Sequence, residues 1–382
     1  TDGASTYLGE GTLFDRQPTE IIDSDKGYIG CTSKFACITT PDGYVTVDQI
    51  QGKIFMIGGQ ALKEISKEYM DIWFEEHWNI TNYTKLDRNG KSRKVDNPYN
   101  GTGHHVGYDK KYGRLLFTKK DYKFKFELGS EYTFDGEYYR FANTNEIIPF
   151  KNLEYFDNKS VTLSYSLTKN KWICDHDYYP DIYIWNNTGL YSLDKDYRAP
   201  DLLHILYRHH SRTQRKGTYY RRFNGIVDYR ENFQSYVDLV FNSRADLSKL
   251  YQALIWTSLV KSGDSNIYRK TIDKVVLYTY NQCSGEIDLT NKEFELHRNN
   301  EGVWNLNEFR DIVIDNNLPV ILEDGKINIA NLNNNRSWFD KSNFISTFII
   351  VRLIMNNANN DEVYINTVNI KSRISQSHAY LE

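Results

Sequence analysis

The chain has 382 residues, with 47 Lys and Arg against 50 Asp and Glu and a formal net charge of −3. That length allows two or three domains and a sizeable core, and the near-neutral balance excludes a global electrostatic pull toward nucleic acid or membrane. Thirty tyrosines, with 19 Phe and 7 Trp, favour β structure and half-polar contact surfaces.

The chain opens TDGAST, with neither an initiator Met nor a charged-then-apolar leader. We expect one piece of a longer polypeptide without a signal peptide. Residues 35–65 read as strand, turn, strand, turn, strand, with turns at Pro41-Asp42-Gly43 and Gln51-Gly52-Lys53. That rhythm predicts a meander, such as one blade of a β-propeller. Ser66 then opens a predicted helix, on which Met70, Trp73, Phe74, His77 and Trp78 form one apolar stripe. Such a stripe is core packing rather than a cofactor box. The polar stretch from Asn79 to Thr102 reads as an exposed loop.

Residues 103–124 and 161–184 share a pattern: a strand ending in Tyr, a polar turn, then a strand with a large apolar centre. We read both as successive hairpins of a repeated β architecture. From Tyr207 the composition shifts. The run RHHSRTQRKGTYYRR, residues 208–222, holds Arg208, Arg212, Arg215, Lys216, Arg221 and Arg222 and no acid. Beside Tyr219 and Tyr220 these cations suit a DNA backbone. The favoured reading is a solvated loop or an interface with an acidic neighbour.

Beyond it, Leu247, Leu250, Tyr251, Leu254 and Ile255 predict a second helix from Asp246 to Ser258. Strands at 235–241, 275–280, 303–306, 348–355 and 363–370, with Asn clusters between them, predict an antiparallel β-sandwich of about seven strands. The longest apolar run, 344–355, is interrupted by Arg352 and too short to span a membrane. The predicted fold is therefore mainly β: propeller-like blades over 1–200, a basic connector over 201–234 and a sandwich-like domain over 235–382, with two short helices.

Chemistry-bearing patterns are few. KWICDHDYYPD places Asp175, His176, Asp177 and Asp181 close together. Alternation on a strand lets only Asp175 and Asp177 share a face, and two hard oxygen ligands need further partners. A strand end and turn, with Trp172 in the core and His176 in a polar core slot, is the favoured reading. His104-His105 and His209-His210 are adjacent pairs, which point to opposite faces and do not chelate together. The four cysteines form no C-x-x-C pair. They are expected to be buried free thiols, with a Cys31–Cys37 disulfide as the minor alternative. SYSLTKNKW (164–172) has the Ser and Trp of a sialidase box but lacks its Asp and Gly. No G-x-S-x-G, H-E-x-x-H or P-loop occurs. We expect no metal, no cofactor and no catalytic residue. Glycosidase-like carboxylates meeting across a cleft stay open as the least favoured alternative.

Two stretches carry a resemblance. Val106-Gly107-Tyr108-Asp109 with Arg114-Leu115-Leu116-Phe117-Thr118-Lys119-Lys120-Asp121-Tyr122 is one. Thr162-Leu163-Ser164-Tyr165-Ser166 with Lys171-Trp172-Ile173 and His176-Asp177-Tyr178-Tyr179-Pro180-Asp181 is the other. Both resemble tail structural proteins of crAss-like podovirus bacteriophages, the tail nozzle and muzzle. Scattered motifs across 35–380 extend it, among them Tyr236-Val237-Asp238, Val276-Leu277-Tyr278, Val351-Arg352-Leu353 and Ile365-Asn366-Thr367-Val368. The second predicted helix and the basic run have no counterpart in it. The resemblance implies a virion protein of the tail: a homo-oligomeric ring around the DNA exit channel, built from propeller and sandwich domains. It further implies contacts to other tail proteins, transient contact with genomic DNA, and no catalytic role. A glycan- or receptor-binding virion protein, using Trp185 and Tyr191 near the Asn186–Gly189 turn, is the alternative.

Overall fold

The computed structural model describes residues 29–31, 33–49, 51–58, 61–78, 84–86, 92–94, 98, 102–135, 138–150, 152–195, 204–211, 234–290, 297–298, 302–322, 326–335, 341–357 and 359–375. The chain is mainly β and divides into two units, one ending at Ser211 and the other beginning at Arg212. The division falls inside the connector expected over 201–234.

In the first unit, β1 (Cys37–Thr40), β2 (Gly43–Asp48), β3 (Lys53–Gly58) and β4 (Ala61–Glu64) form an antiparallel meander in sequence order. Gly43 turns the first hairpin at φ 141°, where an added Cβ would lie 2.2 Å from the Ile57 carbonyl oxygen. Helix α1 (Lys67–His77) follows, as its stripe predicts. Phe74 and Trp78 are buried, Met70 and Trp73 pack beside them, and His77 is exposed, stacking on Trp73. Within the stretch expected to be loop, β5 (Thr84–Leu86) and β6 (Ser92–Lys94) pair.

The two predicted hairpins join in one sheet. β7 (Gly103–Asp109) pairs with β8 (Arg114–Lys120). After β8 come β9 (Tyr122–Phe124), β10 (Tyr132–Phe134), β11 (Tyr139–Phe141), β12 (Ile147–Ile148) and β13 (Phe156–Asn158). β14 (Val161–Ser166) then returns to pair with β8, and β15 (Lys171–His176) completes the order β15-β14-β8-β7. β16 (Ile182–Asn186), β17 (Gly189–Lys195) and β18 (His204–Arg208) form a further antiparallel sheet. β18 occupies the first part of the expected connector.

Strand alternation gives the central sheet two buried faces. Val106, Tyr108, Leu115, Phe117, Leu163 and Tyr165 face one core, shared with Val45, Val47, Ile54, Ile65, Phe74 and Trp78. Leu116 meets Tyr183 and Leu190 on the other side. There Gly107 admits the Tyr183 ring so closely that a Cβ would sit 2.5 Å from it. All seven residues of β7 are consequently buried.

The second unit holds β19 (Ser235–Phe241), β20 (Lys249–Ser262), β21 (Ser265–Ile267), β22 (Lys274–Tyr278), β23 (Cys283–Asp288), β24 (His297–Arg298), β25 (Val303–Leu306) and β26 (Arg310–Asp311). A 3₁₀ turn (Ile329–Asn331), β27 (Ser342–Asn343), β28 (Ile345–Ser346), β29 (Ile349–Met355) and β30 (Glu362–Ile374) follow. One sheet runs β19-β29-β22-β23, and another is built around β20 with β25 and β30. Both line one core of Tyr251, Leu254, Trp256, Leu277, Trp304 and Val351, among others. Among the described residues no sheet closes on itself.

The predicted helix at 246–258 is instead a turn leading into β20. A register shift leaves Gln252 unpaired between Tyr251↔Ser372 and Ala253↔Lys371. Tyr251 and Leu254, three residues apart, therefore face the same core, and a bulged strand imitates helical spacing. α1 is thus the one α-helix among the described residues, where two were expected. The cysteines are free thiols as expected, but differ from expectation in burial. None is bonded, and only Cys283 is buried, its thiol pushed up to about 11 by burial; Cys31 and Cys174 are exposed. No helix among the described residues is long and apolar enough to cross a membrane.

Candidate functional site

Of the polar residues that the sequence singles out, His105, His176, Asp181 and His209 lie in the first unit between the central sheet and β16–β18, whereas His104 faces the helix side. β15 brings Asp175 and His176 to its end, and the Asp177–Pro180 turn hands the chain to β16. Trp172 packs against Phe74, Phe117 and Tyr165 and donates from Nε1 to the Ile65 carbonyl at 3.0 Å. His176 stacks on Tyr178 with a ring centroid separation of 5.1 Å. Burial first, and then the Arg114 charge, hold its imidazole down at about 4. Partial desolvation raises the Asp175 carboxyl. Asp181 turns away from both and pairs with the Lys120 ammonium, which also donates to the Pro98 carbonyl at 3.0 Å. His176 and Asp181 therefore take separate partners, while Asp175 and Asp177 are exposed.

The adjacent histidines separate as strand geometry requires. His104 Nε2 meets the Trp78 carbonyl at 2.9 Å on the helix side. His105 Nε2 donates to the Pro180 carbonyl at 2.7 Å on the opposite side. Burial, then the Lys120 charge, keep His105 neutral down to about 3.

A cluster that sequence reasoning missed sits at the other end of β8. Asp109 Oδ2 accepts from Arg114 Nε and from His210 Nε2, each at 2.9 Å. Burial alone would raise the Asp109 carboxyl, but His210 and Arg114 outweigh it and hold it at about 2. Asp109 and Arg114 flank the Asp-Lys-Lys-Tyr-Gly turn, a spacing that could have suggested their pairing; the His210 contact spans 101 residues and left no local signal. His209 Nε2 lies 2.9 Å from Ser192 Oγ. This is no nucleophile for an incoming substrate, because Ser192 is fully buried. A relay of hydroxyls continues inward: Thr118 Oγ1 lies 2.8 Å from Thr162 Oγ1 and 2.9 Å from Tyr183 Oη, and Thr162 donates to the Tyr178 carbonyl at 2.6 Å. Chemically the layer is a set of neutral imidazoles, hydroxyls and paired charges that ties β16–β18 to the sheet beneath. Among the described residues, no three His, Cys, Asp or Glu side chains are placed to share one metal ion.

Trp185 and Tyr191 do not build one platform. In β16–β17 the cross-strand pairs are Trp185↔Leu190 and Ile184↔Tyr191, so the two rings lie on opposite faces. Trp185 meets Tyr108 edge-on at 5.4 Å. Tyr191 shares the outer face with Ile182, Ile184, Leu193, Leu206 and Arg208, of which Ile184 and Leu206 are about half exposed, at 47% and 55%. Arg208 is exposed and reaches the Thr188 carbonyl at 3.3 Å. Arg212, Arg215, Lys216, Arg221 and Arg222 lie outside the described residues. No protein-family model matches the chain, and no curated protein matches it.

Proposed function

We propose that this chain is a structural subunit of a bacteriophage tail, of nozzle or muzzle type, which assembles with copies of itself into a ring around the DNA exit channel. The observation that carries the reading is where the resemblance motifs fall. Tyr165, Trp172, Tyr178 and Asp181 each tie one layer of the first unit to another, and Thr162 and Pro180 anchor the turn between the central sheet and β16. Residues kept for packing rather than for a pocket suit a scaffold. The half-exposed apolar rows Ile184–Tyr191 and Leu193–Leu206 suit a subunit that buries more surface on assembly. In this reading β1–β4 is a blade-like meander and the two sheets of the second unit, which share one core, form a β-sandwich. The subunit resides in the virion tail, beside other tail proteins, and works without enzymatic activity or cofactor.

The glycan-binding alternative loses its first support, since Trp185 and Tyr191 face apart. Mass photometry of the native protein, alongside imaging of the particle that contains it, tests the ring. A closed ring coaxial with the portal is the expected result, and a monomer at micromolar concentration would overturn it.

A further inference from the structure

The 40 residues between β8 and β14 form a knob that the central sheet does not need. β8 and β14 are already neighbours, with Lys119 opposite Val161. The intervening chain leaves and returns at one place, closed by Asp121 N–H on Ser160 Oγ at 3.1 Å, Lys159 N–H on the Asp121 carbonyl at 2.8 Å and the β9–β13 pair. It carries its own aromatic core around Tyr122, Phe150 and Phe156. Part of that aromatic set is open. Phe126 is 45% exposed and stacks on Tyr132 at 5.2 Å, with Tyr155 at 5.8 Å; Leu128 and Leu153 are also exposed. Asp157 and Asp135 are paired with Lys125 and Arg140. Glu127, Glu131 and Glu154, next in sequence to these open residues, are exposed and have no ion pair among the described residues.

Open ring faces beside unpaired carboxylates attract cations, through cation–π contact and charge-assisted hydrogen bonds. They repel phosphate. The complementary segment is in this chain: residues 208–222, with six Arg and Lys and no acid. Its first cations beyond His210, Arg212 and Arg215, lie only two and five residues on and, at about 3.4 Å per extended residue, cannot span the first unit to their own knob. His210 is tied to Asp109 and Arg114 at one end of β8, whereas the knob springs from beyond Lys120 at the other. Six strand residues separate those ends by about 20 Å. We propose that the aromatic knob of one subunit receives the basic segment 208–222 of a second copy, which makes this a head-to-tail contact between subunits. Such a contact generates rings when its rotation closes.

The proposal rests on the self-assembly reading, and a charge exchange between two full-length variants separates the two. Glu127→Lys/Glu131→Lys/Glu154→Lys reverses the knob; Arg212→Glu/Arg215→Glu/Lys216→Glu reverses the segment. Each variant alone should associate roughly tenfold more weakly than the wild type, or worse, by mass photometry at low salt. An equimolar mixture should recover the wild-type assembly, because each reversed knob then meets a reversed segment. Phe126→Ala should weaken association without altering its salt dependence. Variants that assemble like the wild type would overturn the docking and leave the ring standing. Loss of assembly in each variant without recovery in the mixture would also overturn it. A wild type that is itself monomeric would remove both. DNA affinity lost in the segment variant while assembly is unchanged would assign the segment to the channel and overturn the docking.

Discussion

Buried histidines set the acid response of the first unit. His105 and His209 are each held down at about 3 and His176 at about 4, in every case by burial first. Their unfolded value is near 6.5, so between pH 6.5 and about 4 the unfolded chain binds more protons than the folded one. Stability from these groups is full above pH 6.5 and is lost as the pH falls toward their folded values. Asp109, held at about 2, adds in the same direction at lower pH: its contribution is present above its ordinary value and lost as the pH falls through about 2. We therefore expect the urea midpoint of the first unit to be lower at pH 5.0 than at pH 7.5, with His209→Gln narrowing the gap. An equal or higher midpoint at pH 5.0 would show that the imidazoles are not kept neutral. Alternation separated Asp175 and Asp177 from His176 in advance, but the Lys120–Asp181 pair joins strands 61 residues apart, beyond any local pattern.

Strand β20 shows how one buried cation organises an element. The Lys249 ammonium sits within hydrogen-bond distance of four backbone carbonyls, those of Ser243, Arg244, Leu247 and Thr347, at 2.5 to 3.2 Å, and shares its three N–H donors among them. Three of them line the turn that enters β20 and the fourth precedes β29. The ammonium thus closes the turn and pins it to the neighbouring chain. Lys249→Met fills much of the volume but leaves those acceptors without a donor, which should cost about 3 kcal/mol. Chemical denaturation checks this, and a loss below about 1 kcal/mol would mean that water replaces the ammonium freely. The same strand is where periodicity misled. Leu247, Leu250, Tyr251, Leu254 and Ile255 match a helical stripe, but the unpaired Gln252 joins two period-two runs out of phase. Its partner β30 carries a compensating irregularity at Asn366, after which Ser258 and Val260 again face inward with Ile365 and Val363.

At the scale of the molecule, each unit has its own apolar interior. The first packs its central sheet between the meander with α1 and the β16–β18 layer. The second closes two sheets on Trp256, Leu277 and Val351, with a smaller cluster around Val276, Val313 and Ile354. Units of this size with separate cores can fold alone. Expressed separately, residues 29–211 and 234–382 should each melt cooperatively in a calorimeter. A fragment with no transition would show that its core depends on the other unit.

Local pattern was sufficient wherever a short-range rule governs the chain. Turns at Pro41-Asp42-Gly43, Asp109-Lys110-Lys111 and Thr168-Lys169-Asn170, the α1 stripe and the alternating strands are all legible, because turn chemistry and side-chain period act within a few residues. The mainly β class follows from them. Tertiary structure alone decided what lies between the strands. Pairing β14 with β8 closed the aromatic insertion into a knob, the β16–β17 register set Trp185 and Tyr191 on opposite faces, and the end of β18 carried His210 101 residues to Asp109. Burial, ion pairs and bulges of this kind depend on which surfaces meet, and residues far apart in the chain bear no local mark of their meeting.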